Sequence, residues 1–566
     1  MKRTSWKKWQ MIAAASVLFI LIVVIVMLFV KFYPNKTVEP LAKYYDVSDS
    51  ELLLVMQNQV AEQRGLYLDG EPYVDLDTIK ECFNKRFYFD KNENLLIYST
   101  STAVMKAQVG DKAYYENKSK VDTGYQVVKV QGDKVYVAME YVKQFSNVEY
   151  AYYDNPNRLV IQYQWGESFL YATVRKKAAV RTKDTVKAPV LEEVQPDDKV
   201  MIITGNETLK KGYSKVLTTD GVVGYMKTRK LNEAAYEKIE NDYKEEKYAH
   251  ISKDYKICMV WHQVTNMTAN VGLLNLLSKT KGVTTVSPTW YEVSSEKGSI
   301  SSLASETYVK RAHDQGVEVW ALCSDFNKEV AIEKVLGTTS SREKLENNLL
   351  AQAIQYDLYG IIIDFETIPQ EAGEDYIQFI RELSVKCRNN GIVLSVDSYV
   401  PTAYSEYYDR EEQAAVADYV VIMGYDEHYA GSKEAGSVSS LCFVEEAVKI
   451  TLAQVPAEQI VMGIPFYTRL WTEKKDGSLS SSACSMSQGE AYLSANGVNP
   501  KWDDATGQYY GEYKSDEGLN RIWLEEEKSI GKKIDVISKA KLAGISCWKL
   551  GLEKEGVWDV ILKAVN

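Results

Sequence analysis

The sequence predicts an α/β protein: a (β/α)8 TIM barrel with an α+β insertion, preceded by a small β barrel, an α+β repeat domain and one transmembrane helix. Three observations lead to this fold: eight apolar runs in residues 249–566, an internal repeat nearer the N-terminus, and one long apolar segment. The 566-residue chain is 45% hydrophobic and 26% charged, so it can bury several separate cores.

The long apolar segment is Met11–Val30, in which Ser16 is the one polar side chain. At about 1.5 Å per residue it spans about 30 Å, the thickness of the hydrocarbon core of a bilayer. The residues before it include four cations, Lys2, Arg3, Lys7 and Lys8. Because a positive flank stays in the cytoplasm, we expect a cytoplasmic tail at 1–10 and an uncleaved signal anchor at 11–31. This places the rest of the chain outside the cell at the plasma membrane. A cleaved signal peptide is the alternative, but its apolar region is normally shorter.

After a stalk at 32–66, residues 67–165 contain the repeat. Tyr73–Lys80 aligns with Tyr136–Lys143, 63 positions later, and Leu95–Ile97 aligns with Leu159–Ile161. Each copy reads as a strand, a short helix and a β-hairpin, and we expect the two copies to pack together. The pattern resembles the repeat domain of copper amine oxidases and of bacterial envelope proteins. It carries no copper ligands, so the resemblance implies a scaffold or wall-binding role.

Residues 168–232 alternate short apolar strands with polar turns, for example Leu170–Val174 and Val222–Met226. This segment resembles a bacterial Src-homology-3-like barrel, which implies binding of cell-wall peptide or glycan. A plain spacer is the alternative. Residues 233–248 are dense in Glu and Lys and predict a solvated helical linker to the next domain.

The last domain, residues 249–566, consists of apolar runs separated by amphipathic helices. Continuous Val, Ile and Leu runs are typical of parallel strands buried on both faces. The eight runs are Ile257–Trp261, Val283–Val286, Val317–Leu322, Gly360–Ile363, Ile392–Val396, Tyr419–Met423, Ile460–Ile464 and Gly544–Trp548. Between the third and fourth runs, Ser340 and Glu343 predict a capping box at the start of a helix. Eight strand–helix units predict a (β/α)8 barrel with an insertion before the eighth strand.

Composition excludes several functions. The net charge of −11 is a poor match for nucleic acid, whose binders carry clustered cations. The seven cysteines have no C-x-x-C spacing and the chain has four histidines, so we expect no disulfide framework, no metal site and no cofactor. No glycine-rich phosphate loop stands at a strand–helix junction, which disfavours a nucleotide enzyme.

Two carboxyl groups follow the fourth run, in the sequence Gly360-Ile361-Ile362-Ile363-Asp364-Phe365-Glu366. The alternation of a strand sends Asp364 and Glu366 to the same side, about 6.6 Å apart along the chain. Barrels of this type place their chemistry at the C-terminal ends of the strands. Since buried acids are costly unless paired or functional, we expect this pair to lie in a catalytic site.

Other strand ends carry related motifs. Met423-Gly424-Tyr425-Asp426 closes the sixth run, Gly463–Arg469 closes the seventh, and Trp548–Glu553 closes the eighth. Together with Asp364-x-Glu366, these motifs resemble glycoside hydrolase family 18, the chitinase-like family, and especially its peptidoglycan-associated, spore-germination-type bacterial branch.

The resemblance implies a substrate-assisted retaining mechanism, an exception to the usual pair of carboxylates. Glu366 would protonate the glycosidic oxygen, and the substrate's 2-acetamido oxygen would attack the anomeric carbon. Asp364 would orient the acetamido N–H, Tyr425 would hydrogen-bond its carbonyl, and Trp548 would form the floor beneath the sugar. Four further residues are candidates for substrate binding: Asp426, Trp290, Tyr467 and Asp397. For Trp290 and Tyr467, structural packing is an equally good explanation.

The sequence departs from the chitinase pattern, Asp-Gly-x-Asp-x-Asp-x-Glu, at two positions. Tyr359 replaces the first Asp, and Ile362 replaces the inner Asp that normally shares a proton with the position of Asp364. Asp397, which ends the fifth run, is a candidate replacement. We therefore expect a membrane-anchored glycosidase acting on β-1,4-linked N-acetylglucosamine polymers, either peptidoglycan or chitin-like. The alternatives are a non-catalytic glycan-binding protein, which Ile362 favours, and a purely structural envelope protein.

Overall fold

The computed structural model describes residues 3–203 and 212–565. Contacts between Cα atoms divide the chain into two compact units. The first comprises Met1–Phe87 and Ala107–Glu245, and the second comprises Tyr88–Lys106 and Glu246–Asn566.

Short strands dominate the first 245 residues. The helices in this part are α1 (Arg3–Phe32), α2 (Leu41–Tyr45), α3 (Leu76–Cys82) and α4 (Met139–Phe145). The strands are β1 (Glu51–Met56), β2 (Gln59–Leu68), β3 (Glu71–Asp75), β4 (Tyr88–Asp90), β5 (Leu95–Ser99), β6 (Val104–Gln108), β7 (Ala113–Glu116), β8 (Ser119–Asp122), β9 (Val128–Gln131), β10 (Lys134–Ala138), β11 (Glu149–Tyr153), β12 (Arg158–Gln162), β13 (Ser168–Thr173), β14 (Ala178–Arg181), β15 (Val190–Val194), β16 (Lys199–Ile202), β17 (Tyr213–Thr218), β18 (Val223–Lys227) and β19 (Ala235–Lys238).

The apolar N-terminal segment forms the single helix α1. Its part Trp6–Phe32 is the one helix among the described residues that is long and apolar enough to cross a membrane, and a window of 18 residues within it has a mean hydropathy of 3.2. None of that stretch is buried against the rest of the protein. An exposed helix of this length and composition is compatible with the anchor that the sequence predicts.

Strands of the repeat belong to a seven-stranded sheet with the order β11-β12-β1-β2-β3-β10-β9, but the hairpin of the first copy, β4–β5, is not part of it. The two copies each run from a strand into a short helix, β3 into α3 and β10 into α4, and the two strands pair antiparallel with Val74 opposite Val137. The sheet also includes β1 and β2, and α2 (Leu41–Tyr45) precedes them, so much of the predicted stalk at 32–66 is folded. The reason is that Leu52–Val55 are fully buried, which a solvated stalk could not achieve.

A second seven-stranded sheet has the order β15-β14-β18-β17-β16-β13-β19 and covers the region with the Src-homology-3-like pattern. The predicted helix at 233–248 is wrong, because residues 235–238 form β19 and the rest of the segment is irregular. β19 pairs antiparallel with β13, with Tyr236 opposite Leu170. Its exposed, charged side chains suit the edge of a sheet as well as they suit a solvated helix.

The remaining elements belong to the second unit. Its helices are α5 (Leu273–Leu277), α6 (Glu306–His313), α7 (Ile332–Leu336), α8 (Thr339–Gln355), α9 (Gly373–Asn389), α10 (Arg410–Val416), α11 (Leu441–Thr451), α12 (Met486–Ala495), α13 (Glu527–Lys539) and α14 (Val557–Val565). Its strands are β20 (Ile257–His262), β21 (Thr285–Val293), β22 (Ile300–Ser302), β23 (Glu318–Ser324), β24 (Gly360–Asp364), β25 (Val393–Tyr399), β26 (Tyr419–Met423), β27 (Ile460–Pro465), β28 (Tyr467–Lys474), β29 (Leu479–Ser485), β30 (Lys501–Asp503), β31 (Gln508–Lys514), β32 (Gly518–Leu524) and β33 (Gly544–Trp548).

Eight of these strands close into a parallel barrel in the order β20, β21, β23, β24, β25, β26, β27, β33, and β20 pairs with both β21 and β33. Each strand overlaps one of the eight apolar runs, so the predicted barrel is confirmed. Large apolar side chains fill its interior, among them Trp320, Leu322 and Ile362. The insertion before the eighth strand is also confirmed: α12 and the sheet β29-β28-β32-β31-β30 lie between β27 and β33 in the chain.

The start of α8 differs from the expected capping box. Its N-cap is Thr338, and no side chain of its own sequence caps it. Instead the carboxylate of Asp90, from the β4–β5 hairpin, accepts hydrogen bonds from the backbone N–H of Thr339 at 2.6 Å and from its hydroxyl group. A segment distant in sequence can supply this cap because Tyr88–Lys106, which contains the β4–β5 hairpin, belongs to the same compact unit as the barrel.

Candidate active site

A cavity of about 560 Å³ opens at the C-terminal ends of the barrel strands. Its walls come from side chains at the ends of several strands and from the loops that follow them, the usual position of the active site in such barrels. All eight residues that the sequence singled out line it: Asp364, Glu366, Asp397, Tyr425, Asp426, Tyr467, Trp290 and Trp548. The fold therefore brings together side chains that lie up to 258 positions apart, from Trp290 to Trp548.

The two carboxyl groups of the fourth strand sit at different depths. Asp364 is the last residue of β24 and is 6% exposed. Glu366 lies two residues later, beyond the end of the strand, and is half-buried at the cavity wall. Asp364 can therefore contact a ligand at the bottom of the cavity, and Glu366 can contact it nearer the opening.

Two neighbours hold Glu366 in place. The buried carboxylate of Asp325, just after β23, accepts hydrogen bonds from the backbone N–H of Glu366 and of Thr367, each at 2.9 Å. The hydroxyl of Tyr399, at the end of β25, donates to Oε2 of Glu366 at 2.6 Å. Asp325 fixes the backbone of this turn and Tyr399 fixes the side chain.

Asp397 lies beside Asp364 on the neighbouring strand. β24 and β25 pair in parallel, with Ile362 opposite Ser395 and Ile363 opposite Val396, so the next step along both strands places Asp364 next to Asp397. Both carboxyl groups are almost fully buried. The Oδ1 atom of each has no hydrogen-bond partner among the described residues.

The electrostatics of the site favour protonated acids. The pKa of Asp364 lies well above its usual range, chiefly because of burial, then because of Asp397, Glu366 and Asp325. Burial and Glu366 raise the pKa of Asp397 in the same way. Burial also raises the pKa of Glu366, although the hydrogen bond from Tyr399 partly lowers it. Within residues 3–203 and 212–565, no Lys, Arg or His lines the cavity to offset these charges.

Aromatic rings form the walls and floor. Trp261 is central: its ring lies 5.8 Å from that of Trp548 and 6.3 Å from that of Tyr425, both in edge-on contact. Tyr425 in turn lies 6.3 Å from Tyr467. Such a set of rings offers flat apolar surfaces and hydroxyl groups together.

Close strand packing positions Tyr425 and Asp426. Gly424 approaches β27 so tightly that a Cβ atom there would lie 2.6 Å from the carbonyl oxygen of Gly463. The chain then turns through Asp426, whose φ of 59° is left-handed. The carboxylate of Asp426 accepts a hydrogen bond from the hydroxyl of Tyr467, so both side chains are fixed at the rim.

Trp290 is more buried than a sugar-stacking residue needs to be. It is 2% exposed, its indole N–H donates to Oδ1 of Asn270 at 2.8 Å, and its ring lies edge-on to Tyr308 at 4.9 Å. Of the two explanations that the sequence left open, packing accounts for these contacts. A sugar contact by Trp290 stays a prediction.

Three residues of the site were not singled out from the sequence: Asp325, Tyr399 and Trp261. Each stands at or just after the end of a predicted strand, and that position was the available signal. The sequence does not show which of these strand ends lie next to Glu366 and Asp364 in the folded barrel. Among the described residues, no group of His, Cys, Asp and Glu is arranged to hold a metal ion.

The arrangement is suited to acid catalysis on a bound ligand. A half-buried acid with a raised pKa can deliver a proton to a leaving group. A buried carboxyl group beneath it can stabilise positive charge that develops nearby. The aromatic walls exclude water and orient the ligand.

The chain is similar to several known proteins. The uncharacterized glycosylase YvbX of Bacillus subtilis is 26% identical over 273 residues, which are 46% of this chain and 78% of that protein. The cortical fragment-lytic enzyme of Bacillus subtilis is 28% identical over 240 residues, 41% of this chain and 56% of that protein. The crystal structure of the Bacillus cereus spore cortex-lytic enzyme SleL shares the fold, with a TM-score of 0.51 and 20% identity over 59% of this chain and 78% of that chain. The sequence profile of glycosyl hydrolases family 18 matches residues 260–553, a little over half of the chain, and the protein therefore belongs to glycosyl hydrolase family 18.

Proposed function

We propose that the protein is a membrane-anchored extracellular glycosidase that hydrolyses β-1,4-linked glycans containing N-acetylglucosamine. The observation that carries this proposal is the placement of Glu366 above Asp364 in one aromatic-walled cavity. The reaction is a substrate-assisted hydrolysis with retention of the anomeric configuration.

Glu366 is the general acid. Its proton passes to the glycosidic oxygen as the bond to the anomeric carbon breaks, and the substrate's own acetamido oxygen attacks that carbon. The product of this step is an oxazolinium ion, which water then opens while the Glu366 carboxylate accepts the proton. Burial of Glu366 supports the role, because it raises the pKa and keeps the acid form available closer to neutral pH.

The other site residues stabilise the acetamido group. Asp364 accepts its N–H and balances the positive charge of the oxazolinium ion, and Tyr425 donates to its carbonyl oxygen. Trp548 forms the apolar floor beneath the sugar. Asp426 and Tyr467, joined by a hydrogen bond at the rim, contact the neighbouring sugar.

Peptidoglycan is the substrate that we favour over chitin. The relatives that support this choice include cortical fragment-lytic enzymes of three Bacillus species, at 25–28% identity. The chain also matches proteins named as chitinases at 23% and 24% identity. A parallel digest of both polymers separates the two substrates.

The N-terminal part would hold the enzyme at its substrate. In this proposal α1 spans the plasma membrane with its positive end in the cytoplasm, and the domains from residue 32 onward are extracellular. The Src-homology-3-like region at 168–232 and the repeat at 67–165 would contact cell-wall peptide or glycan. Extraction of membranes with and without detergent, followed by a blot for the full-length chain, tests the anchor.

A non-catalytic glycan-binding protein is the second candidate, and Ile362 is the observation that favours it. Ile362 is fully buried among apolar side chains of the barrel interior, so no acid lies beneath Asp364 on its own strand. Binding without cleavage would result if Asp364 could not adjust its charge.

The test is Glu366→Gln, which keeps the shape of the side chain and removes the transferable proton. We expect the wild type to release reducing ends from purified peptidoglycan or chitin, and the variant to lose this release while still binding glycan. Glu371→Gln, an exposed carboxyl group five residues later, is the matched control and should keep full activity. Equal turnover by the wild type and Glu366→Gln would refute the proposal, and binding without turnover by the wild type would favour the second candidate.

A further inference from the structure

The pair formed by Asp364 and Asp397 is the least explained feature of the cavity. Their strands run parallel in register, which places in-register Cα atoms about 4.8 Å apart. Both side chains face the cavity and both are buried to more than nine-tenths. Two short carboxyl side chains on adjacent strands can therefore reach each other by rotation about their own bonds.

Each member of the pair has an unused oxygen. Oδ1 of Asp364 and Oδ1 of Asp397 are buried without a hydrogen-bond partner. A buried polar atom without a partner is costly, so it indicates either strain or a function. Burial and the repulsion between like charges disfavour ionisation of both groups at once, and Asp397 is the largest charge effect that raises the pKa of Asp364.

Among the described residues, the carboxyl groups that raise the pKa of Asp364 are those of Asp397, Glu366 and Asp325, and the last two already serve as the general acid and the acceptor that holds its backbone. Two residues earlier on the same strand stands Ile362, whose in-register neighbours are Leu322 and Ser395. The titratable groups that face the pair are two carboxyl groups, one thiol and three phenols: Glu366, Asp325, Cys323, Tyr376, Tyr399 and Tyr425. The indole of Trp261 faces Asp397 and favours its charged form, but it makes no regular hydrogen bond.

We propose that Asp397 is a positioning residue that takes up the proton that Asp364 must give away before it can stabilise the positively charged intermediate. In the empty site the two carboxyl groups hold one proton and one negative charge between them. When the acetamido N–H arrives, the O–H bond on Asp364 breaks and an O–H bond on Asp397 forms. The total charge is unchanged, and Asp364 is now the ionised member. The inference rests on the proposed function and assigns to the neighbouring strand a role that Ile362 leaves vacant on β24.

The experiment uses the full-length protein and three variants. Asp397→Asn removes the proton acceptor at nearly constant volume. Ile362→Asp combined with Asp397→Asn moves the carboxyl group onto β24 and keeps the number of acids constant. Asp418→Asn is the matched control, since it changes another buried barrel aspartate, one that accepts backbone N–H groups of Ile251 and Leu394 instead.

Turnover of a chromogenic N-acetylglucosamine oligomer is the first readout. In Asp397→Asn the proton of Asp364 has no neighbouring acceptor, so Asp364 must ionise against its own raised pKa. If that pKa lies one to two units above the assay pH, kcat falls about 10–100-fold, and we expect little change in KM. The pH dependence of kcat should also change shape. The double variant should regain at least tenfold of the loss, and Asp418→Asn should match the wild type. Unchanged kcat and pH dependence in Asp397→Asn, or a double variant no better than the single one, would overturn the proposal.

A second readout does not depend on turnover. Infrared difference spectra of the carboxyl region count the acids that stay protonated as pH rises. Other buried acids, such as Glu346, also stay protonated near neutral pH, so each variant is compared with the wild type. Asp418→Asn should show the same protonated carboxyl band as the wild type, and Asp397→Asn should lose one protonated group from that band at lower pH. If the wild type lacks activity but Asp397→Asn shows this difference, the proposed function fails and the shared proton stands. If the band is the same in the wild type and in Asp397→Asn, the inference fails whatever the activity.

Discussion

The hydrogen bond from Tyr399 to Glu366 gives the site a prediction with a definite sign. The phenol donates to Oε2 at 2.6 Å and therefore stabilises the carboxylate form. This contact lowers the pKa of Glu366, against the larger effect of burial, which raises it. Removing the hydroxyl in Tyr399→Phe must raise the pKa further.

The size of the effect follows from the bond and its exposure. A hydrogen bond to a charged group is worth about 1.5–3 kcal/mol, which corresponds to about one to two pKa units. Tyr399 is 38% exposed, so water replaces part of the lost interaction and the shift is reduced to about 0.5–1 unit. Because the acid must be protonated to act, the alkaline limb of the pH–activity profile should move to higher pH by this amount.

The assay is the pH dependence of kcat/KM on a soluble N-acetylglucosamine oligomer, measured for the wild type and Tyr399→Phe. Tyr404→Phe is the matched control, because Tyr404 lies five residues later and is 93% exposed. Its profile should match that of the wild type. An alkaline limb that stays in place or moves to lower pH in Tyr399→Phe would show that the hydroxyl does not control the ionisation of Glu366.

Three further predictions concern the framework of the site. Asp325→Ala should lower kcat about 10-fold or more while leaving the fold intact by circular dichroism, because the backbone of Glu366 loses its acceptor; full activity would contradict this. Asp90→Ala should lower the free energy of unfolding by about 2–4 kcal/mol in urea, because Thr339 loses its buried cap; an unchanged midpoint would show that the hairpin does not stabilise the barrel. The pKa of the buried Glu346 is raised to about 8 by burial, so its charged form is disfavoured and the wild type should lose stability as pH rises from 4.5 through 8. In Glu346→Gln this decline of the thermal midpoint should be smaller, and an equal decline in both proteins would refute the assignment.

The barrel could be predicted because each of its strands is buried on both faces. Runs such as Gly360–Ile363 and Tyr419–Met423 are continuous in sequence and are separated by helical segments. The number and order of the strands can therefore be read directly from the sequence. The strand ends then marked Asp364, Glu366 and Tyr425 as neighbours. Active sites of such barrels lie at the C-terminal ends of the strands, so the position of the site could be predicted without knowing any contact between side chains.

Contacts between distant segments could not be predicted in the same way. The role of Asp325 depends on its backbone partners at Glu366 and Thr367, which are 41 and 42 residues away. The cap of α8 comes from Asp90, 249 residues away from Thr339, and the local Ser340–Glu343 pattern imitates a cap that the helix does not use. Residues 235–238 join a sheet edge although their composition favours a solvated helix.

The N-terminal resemblances remain predictions. The repeat of strand and helix is visible in β3–α3 and β10–α4, but the likeness to a copper amine oxidase repeat and to a Src-homology-3-like barrel rests on sequence patterns alone. Binding of the full-length protein to purified cell wall, compared with a variant lacking the catalytic acid, would show whether these regions retain it there.

The most direct measurement is the mass of the products released from a partially N-deacetylated chitin oligomer. If a neighbouring acetamido group is the nucleophile in the first step, every newly formed reducing end must carry that group. The account predicts fragments whose new reducing sugar is always N-acetylated. Fragments that end in a free amino sugar would contradict it, because no acetamido oxygen would then have been present to attack.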